Sequence, residues 1–231
     1  MLRLDHLTLQ QGDFSLTADL SLPPGSRCAL IGPSGAGKST LLNAIAGFLP
    51  PLTGRILWEE KDLTPLAPAA RPVAMLFQDG NLFPHLDIAR NVALGLKPNL
   101  RLTPDDHARV REALARVGLD GLGDRRPGAL SGGQQSRAAL ARVLVQNRPL
   151  LLLDEPFAAL GPALRAEMLA LVRAVVEETG ATLLMVTHAP EDARRIADRL
   201  ILVSDHHAAP PAPITLLDDP TPALRAYLGA D

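Results

Sequence analysis

The sequence predicts an α/β fold with a mostly parallel central sheet. Three short runs, at residues 28–31, 150–153 and 182–187, consist almost entirely of apolar residues. Continuous apolar runs of this length are typical of strands that are buried on both faces. Segments with helical patterns lie between the runs, and strands that alternate with helices favour a parallel sheet covered by helices.

Composition limits the classes of protein that fit. The chain has 231 residues and 47% hydrophobic content, enough for the core of one α/β domain with an insertion. Its formal net charge of −2 argues against an overall nucleic-acid-binding surface, so we expect no nucleic-acid partner. The single cysteine, Cys28, excludes an internal disulfide and is expected in the core. No apolar run reaches 18 residues and no secretory signal precedes the first strand, so we expect a soluble protein.

An antiparallel β layer is expected at the N-terminus. Residues 2–9 and 14–22 alternate apolar and polar side chains, which is typical of strands with one buried face. Gln11 and Gly12 lie between the two runs and predict the turn that joins them.

Helical patterns dominate from residue 87 to residue 147. Asp87 is placed to cap a helix over residues 88–96. Thr103, followed by a proline and two acidic residues, predicts the start of a second helix, which ends near Gly118. We therefore expect an inserted block of helices within the sheet-forming sequence.

The C-terminal part contains one long helix and a short tail. A proline at position 162 and a glycine at position 180 bracket a helix with one apolar stripe. The tail, residues 204–231, includes an alanine and proline stretch at 208–213 that predicts a stiff extended connector. A short helix is expected at residues 222–228.

A phosphate-binding loop follows the first apolar run. The pattern Gly-x-x-x-x-Gly-Lys-Ser lets successive backbone N–H groups surround phosphate oxygens at the start of a helix. Lys38 can reach the β and γ phosphates of a nucleoside triphosphate, and the Ser39 hydroxyl can ligate Mg²⁺. The residues predicted to hold the nucleotide here are Gly32, Pro33, Ser34, Gly35, Ala36, Gly37, Lys38, Ser39 and Thr40.

Two adjacent carboxylates end the apolar run at residues 150–153. Ligands collect at the carboxyl ends of parallel strands, so Asp154 and Glu155 are expected near the phosphate loop. Because successive strand residues point to opposite faces, the two acids are predicted to act differently. We expect Asp154 to hold Mg²⁺, directly or through water, and Glu155 to polarise the water that attacks the γ phosphate.

A second glycine-rich loop, Leu130-Ser-Gly-Gly-Gln134, precedes another helical segment. Ser131 is placed to cap that helix, whose free N–H groups would face an anion. We call residues 130–134 the signature loop. Elementary physics explains one such loop as an anion site, but it does not explain why one chain carries two.

With these motifs in this order, the chain resembles the ATP-binding cassette (ABC) ATPases. The resemblance implies the ABC variant of the phosphate-loop fold over residues 1–231, with a helical subdomain at about 87–147. It also implies a head-to-tail dimer with a second copy of the chain. In such a dimer Ser131, Gly132, Gly133 and Gln134 of one copy contact the ATP that the other copy holds.

The same resemblance assigns roles to two isolated polar residues. Gln78 follows the apolar run at 73–77 and matches the family glutamine that touches Mg²⁺ or the attacking water. His188 follows the run at 182–187 and matches the family histidine that contacts the γ phosphate. The implied catalytic set is Glu155, His188 and Gln78, and the implied Mg²⁺ ligands are Ser39, Gln78 and Asp154.

Residues 71–86 and 91–96 closely resemble the ATP-binding subunit of bacterial thiamine importers. Similar stretches occur in importers of iron, polyamines and molybdate, which stay as alternative substrates. The resemblance implies a subunit at the cytoplasmic face of the inner membrane, bound to two transmembrane permease halves and working with a periplasmic solute-binding protein. Leu82, Phe83 and Pro84 would help form the groove that receives the permease.

The chain departs from the family pattern at two places. No aromatic residue lies between Met1 and Asp13 to stack on adenine, and Phe14 is the nearest. Gly161 occupies the position where the family commonly has an aspartate that crosses the dimer interface. A non-transport ABC ATPase and a phosphate-loop kinase are the two other classes considered. The chain lacks the long insertion or second cassette of the first, and its signature loop argues against the second.

Overall fold

The computed structural model describes residues 1–78 and 80–229, so Asp79, Ala230 and Asp231 lie outside the description. The strands are β1 (Leu2–Gln11), β2 (Phe14–Leu22), β3 (Arg27–Ile31), β4 (Thr53–Trp58), β5 (Lys61–Asp62), β6 (Val73–Leu76), β7 (Leu150–Asp154), β8 (Thr182–Val186), β9 (Arg199–Ser204), β10 (His207–Ala208) and β11 (Ala212–Pro213). The helices are α1 (Lys38–Ala46), α2 (Ile88–Ala93), α3 (Pro104–Arg116), α4 (Gly132–Leu144), α5 (Pro162–Thr179), α6 (Pro190–Ile196) and α7 (Pro222–Leu228).

The predicted parallel core is confirmed. Strands β9, β3, β8, β7 and β6 lie side by side in that order, and all of their mutual pairings are parallel. The residues of β8 are buried throughout, and those of β7 are buried as far as Leu153. Helices therefore cover both faces, as the continuous apolar runs predict.

The N-terminal layer is antiparallel, with β1 between β2 and β4. Its alternation is interrupted between Leu4 and Leu7, which are three residues apart and both fully buried. A β-bulge between these positions, with His6 at φ 48°, restores the inward direction of the second leucine. Strand β10 joins this layer to the parallel core by pairing with both β2 and β9.

Helices α2, α3 and α4 share a core of their own, which includes Ile88, Val92, Val110, Leu114 and Ala138. The predicted ends of α3 are confirmed, but α2 ends at Ala93 rather than near residue 96. Beyond Ala93 the chain tightens into turns with hydrogen bonds to the third residue back, such as Leu96 N–H to Ala93 O. Glycine is unfavourable in helix interiors, and Gly95 packs closely on α4, since a Cβ there would lie 2.2 Å from Arg142 O.

The C-terminal stretch is extended, as predicted, but it is not a free connector. Ala212 and Pro213 pair with β9, and Ala208 pairs with both β9 and β2. The ends of the stretch are therefore strands of the sheet. The predicted helices α5 and α7 are confirmed, and Gly180 ends α5 with φ 66°. No helix in the described part of the chain is long and apolar enough to cross a membrane.

Asp106 holds the start of α3 to the preceding turn. Its carboxylate accepts hydrogen bonds from the N–H and hydroxyl of Thr103 and from the Lys97 ammonium. The Lys97 contact is the largest cause that lowers the pKa of Asp106 well below its usual range, and the Thr103 bonds act in the same direction. The folded state is therefore stabilised by ionised Asp106, because the unfolded chain binds the proton more tightly.

We expect Asp106→Asn to lower the midpoint of urea unfolding at pH 7. The difference between wild type and variant should shrink as the pH falls below about 4, where the unfolded carboxyl takes up its proton. Asp105→Asn is the matched control, since Asp105 lies exposed on the same turn. A difference that stays constant between pH 7 and pH 3 would contradict the proposed linkage.

Candidate active site

The phosphate loop connects β3 to α1 and requires glycine at two close approaches. A Cβ at Gly32 would lie 2.0 Å from Val203 O, and one at Gly37 would lie 2.6 Å from Cζ of Phe14. Both positions also have positive φ, at 145° and 100°. The loop thus packs closely on β9 and β2, and a side chain at Gly32 or Gly37 would disturb this packing.

Lys38 is buried at the first position of α1. Its ammonium donates to Gly32 O and Pro33 O, both at 2.8 Å. Burial lowers the pKa of Lys38, while the charges of Glu155 and Asp154 raise it. The cation therefore lies inside the loop, with two carboxylates close enough to favour its charged form.

Asp154 ends β7 beside the start of α1. Its carboxylate accepts a hydrogen bond of 2.9 Å from the Ser39 hydroxyl. Burial raises the pKa of Asp154, and the Ser39 bond lowers it. The predicted pairing of Ser39 with Asp154 thus places two oxygen donors together, which suits a small hard cation such as Mg²⁺.

Glu155 leaves the strand with φ 45°, while its N–H bonds Val186 O of β8 at 3.2 Å. Its carboxylate Oε1 lies 2.6 Å from Nε2 of His188. The two acids therefore have different partners, as predicted, but the alternation of strand residues is not the cause. The left-handed backbone at Glu155 turns its side chain towards the segment after β8.

One cleft of about 370 Å³ collects eight of the predicted site residues, and we call it the nucleotide cleft. It brings the phosphate loop together with Glu155 and His188, while Gln11 and Phe14 form another part of its wall. The sequence prediction missed Gln11. The Phe14 ring lies 5.4 Å from that of His206, which is in an exposed turn. The lining residues from the phosphate loop and α1 are Ser34, Gly35, Gly37, Lys38, Ser39 and Thr40.

Gln78 and the signature loop line a different cleft, of about 570 Å³. Gln78 is exposed after β6, and the same cleft includes Gly132, Leu82 and Pro84. Within the described residues, the signature loop is therefore not part of the nucleotide cleft of its own chain.

The signature loop is fixed by a capping box at the start of α4. Ser131 Oγ accepts from Gln134 N–H at 3.3 Å, and Gln134 Oε1 accepts from Ser131 N–H at 3.0 Å. Gly133 packs against α5, because a Cβ there would lie 2.3 Å from Cδ2 of Leu164 and that side chain would have to move. Ser131 caps the helix as predicted, and its side chain already has a partner within the loop.

Gly161 precedes α5 in an extended conformation, with φ −63° and ψ 158°. Any residue adopts this conformation, and a Cβ at this position would meet no described atom within 4 Å. Arg165 also holds the preceding turn by donating to Ala158 O and Leu160 O, both at 3.1 Å. The missing aspartate is therefore not explained by backbone strain or lack of space.

These features define a class of protein: an α/β protein with a phosphate loop, beside which acidic and imidazole side chains lie at the carboxyl ends of parallel strands. The sequence pattern of the family described as ABC transporter matches residues 16–158. The chain therefore belongs to the ABC transporter family of ATP-binding proteins, as the sequence resemblance indicates. Membership of this family, together with the site, makes it an ATPase.

Relatives and solved structures agree with this assignment. A thiamine import ATP-binding protein of Cereibacter sphaeroides is 65% identical over 99% of this chain and 100% of its own length. A protein of the same name from Ruegeria sp. strain TM1040 is 62% identical over the full length of both chains. The dimeric ATP-binding cassette MJ0796, bound to ADP and Pi, has a TM-score of 0.81 and 30% identity, covering 93% of this chain and 99% of its own.

We expect Glu155→Gln to retain ATP binding and to lower turnover by a factor on the order of 10², as for other positioned general bases. The amide preserves the size of the side chain but cannot accept the proton of the attacking water. Steady-state ATPase assays and equilibrium ATP binding measure the two effects separately. Glu191→Gln is the matched control, since Glu191 is on the neighbouring α6 with its side chain 79% exposed. Turnover at the wild-type rate in Glu155→Gln would remove Glu155 from this role.

Proposed function

We propose that this chain is the ATP-hydrolysing subunit that energises import of thiamine or its phosphates across the bacterial inner membrane. The observation that carries the substrate is identity above 60% with thiamine import ATP-binding proteins over essentially the whole chain. The nucleotide cleft supports the ATPase part of the proposal independently of that similarity.

In the proposed site, residues 32–40 bind the triphosphate of ATP. Lys38 supplies the cation for the β and γ phosphates and can exchange its bonds to the loop carbonyls for phosphate oxygens. Ser39 and Asp154 would hold Mg²⁺, which when bound neutralises charge on the phosphates; Gln78, the third ligand that the family resemblance implies, lines the other cleft. The 2.9 Å contact between Ser39 and Asp154 supports the first two ligands.

The contact between Glu155 and His188 supports a mechanism for hydrolysis. We assign Glu155 as the base that accepts a proton from water as its oxygen attacks the γ phosphorus, and the bond to the β-phosphate oxygen breaks. The products are ADP and inorganic phosphate. His188 lies 2.6 Å from Glu155, so its imidazole can orient the carboxylate and face the γ phosphate.

The location of the signature loop favours a dimer. Residues 131–134 form the N-terminus of the 13-residue helix α4, where backbone N–H groups and the helix dipole attract an anion. Because this loop is outside the nucleotide cleft of its own chain, its proposed ligand is ATP held by a second copy. In a head-to-tail pair, each phosphate loop would face the partner's signature loop.

Permease halves are the further partners that we propose, with a periplasmic solute-binding protein as the source of the solute. Phe83 is 45% exposed beside the cleft that Leu82, Pro84 and Gln78 line. Phe48 is 56% exposed, and its ring lies 5.6 Å from that of Phe77. An exposed apolar groove of this kind suits a helix of a membrane subunit and would place the chain peripherally on the cytoplasmic face.

Uptake measurements test the substrate. Cells that lack this chain should lose uptake of labelled thiamine, and wild type supplied in trans should restore it. Glu155→Gln should not restore it, because import requires turnover, whereas Glu191→Gln should. Normal thiamine uptake with defective uptake of iron, a polyamine or molybdate would overturn the substrate assignment and leave the ATPase intact. Unimpaired uptake of all four would favour a non-transport role.

We expect Gly161→Asp to raise both the ATPase rate and the cooperativity of its ATP dependence in the assembled transporter. An aspartate here would add a charge-assisted contact across the dimer, worth roughly 1.5 to 3 kcal/mol in favourable cases. The substitution should not destabilise the fold, since the site is open and aspartate is a preferred residue before a helix. Gly161→Asn, which fits equally well without the charge, is the control. A rate and a Hill coefficient that stay unchanged or fall would contradict the inference.

A further inference from the structure

The C-terminal helix α7 contributes a side chain to the hydrolytic site. Thr221 caps the helix through Leu224 N–H, and the fully buried Leu224 anchors it in the core that the parallel sheet shares with α5. Tyr227, the only tyrosine of the chain, packs half-buried against the same core. Its ring therefore has a fixed support, and its hydroxyl is directed towards the ends of the parallel strands.

The Tyr227 hydroxyl lies where three parts of the site meet. It donates a hydrogen bond to His188 O over 3.4 Å. Burial raises the pKa of Tyr227, a backbone hydrogen bond with Gly32 lowers it, and the nearby charge of Glu155 raises it. A single phenol thus bonds the histidine segment and lies near Gly32, at the start of the phosphate loop, and near Glu155.

The backbone at His188 needs such support. His188 is the second residue after β8, its side chain is 40% exposed, and the helix that follows begins only at Pro190. The next residue, Ala189, bonds back to Thr187 Oγ1 at 3.1 Å. A displacement of this short segment would carry the imidazole away from Glu155 Oε1, and catalysis is sensitive to misplacements of about 1 Å.

We propose that Tyr227 is a positioning residue, whose hydroxyl fixes the peptide of His188 so that the imidazole stays on Glu155. This inference rests on the hydrolytic roles proposed for Glu155 and His188, and it goes beyond them by making the tail part of the site. The phenol touches neither the phosphates nor the attacking water in this role. Its effect is on turnover, exerted through His188.

The test removes only the hydroxyl. In the full chain with MgATP, Tyr227→Phe should lower kcat about three- to tenfold, the range expected for one neutral hydrogen bond, with KM within twofold. In a His188→Ala background, the same substitution should leave the residual rate unchanged, because Tyr227 acts through that histidine. ATP affinity in a Glu155→Gln background should also be unchanged.

Leu224→Val is the matched control on the same helix, since it loosens the anchor of α7 without altering the hydroxyl. It should lower the urea midpoint more than Tyr227→Phe does and lower kcat less. A wild-type kcat in Tyr227→Phe would overturn the inference, as would an equal loss in the His188→Ala background. The inference would also be overturned if the loss of kcat in Tyr227→Phe and in Leu224→Val were proportional to the loss of stability in each variant. If Glu155→Gln hydrolyses ATP normally, the proposed hydrolytic site itself fails, which separates the two failures.

Discussion

The parallel register of β3, β8 and β7 is the constraint on which the site depends. Leu30 pairs with Val186, and Val186 pairs with Asp154, so the three strands end in one row of the sheet. The next residues along each strand supply the phosphate loop, the histidine segment and Glu155, the proposed general base. A slip of one residue between β8 and β7 would displace the Glu155–His188 contact, and a slip between β3 and β8 would displace the phosphate loop from both residues. Either slip would also reverse the faces of the slipped strand.

Much of this arrangement could be predicted from the sequence because the signals are local. An apolar run specifies a buried strand, a glycine pattern specifies the phosphate loop, and Ser131 or Thr103 specifies a helix start through hydrogen bonds to residues three positions away. The grouping of Asp154, Glu155 and Lys38 followed from the rule that ligands collect at the carboxyl ends of parallel strands.

The remaining features depend on contacts between residues far apart in the sequence. Just beyond the early end of α2, Gly95 packs on Arg142 O of α4, and the extended residues near Pro213 are strands only because β9 lies beside them. The positive φ of Glu155 has no local signal, since glutamate rarely adopts it. Tyr227 contacts His188, which is 39 positions away in the sequence, so this contact could not be predicted from the sequence alone.

Burial and neighbouring charges act in opposite directions on the ionisable groups of the nucleotide cleft. Burial disfavours the charged forms of Lys38 and Asp154, while each of the two groups favours the charged form of the other. Removing either charge leaves the other buried with less compensation, which is costly in a site of low dielectric. A triphosphate that approaches Lys38 is attracted by the ammonium but repelled by the carboxylates of Asp154 and Glu155. A cation that accompanies the triphosphate would relieve this repulsion. Ser39 and Asp154 place oxygen donors where that cation would neutralise the repulsion, so their arrangement suits ATP accompanied by a cation better than ATP alone.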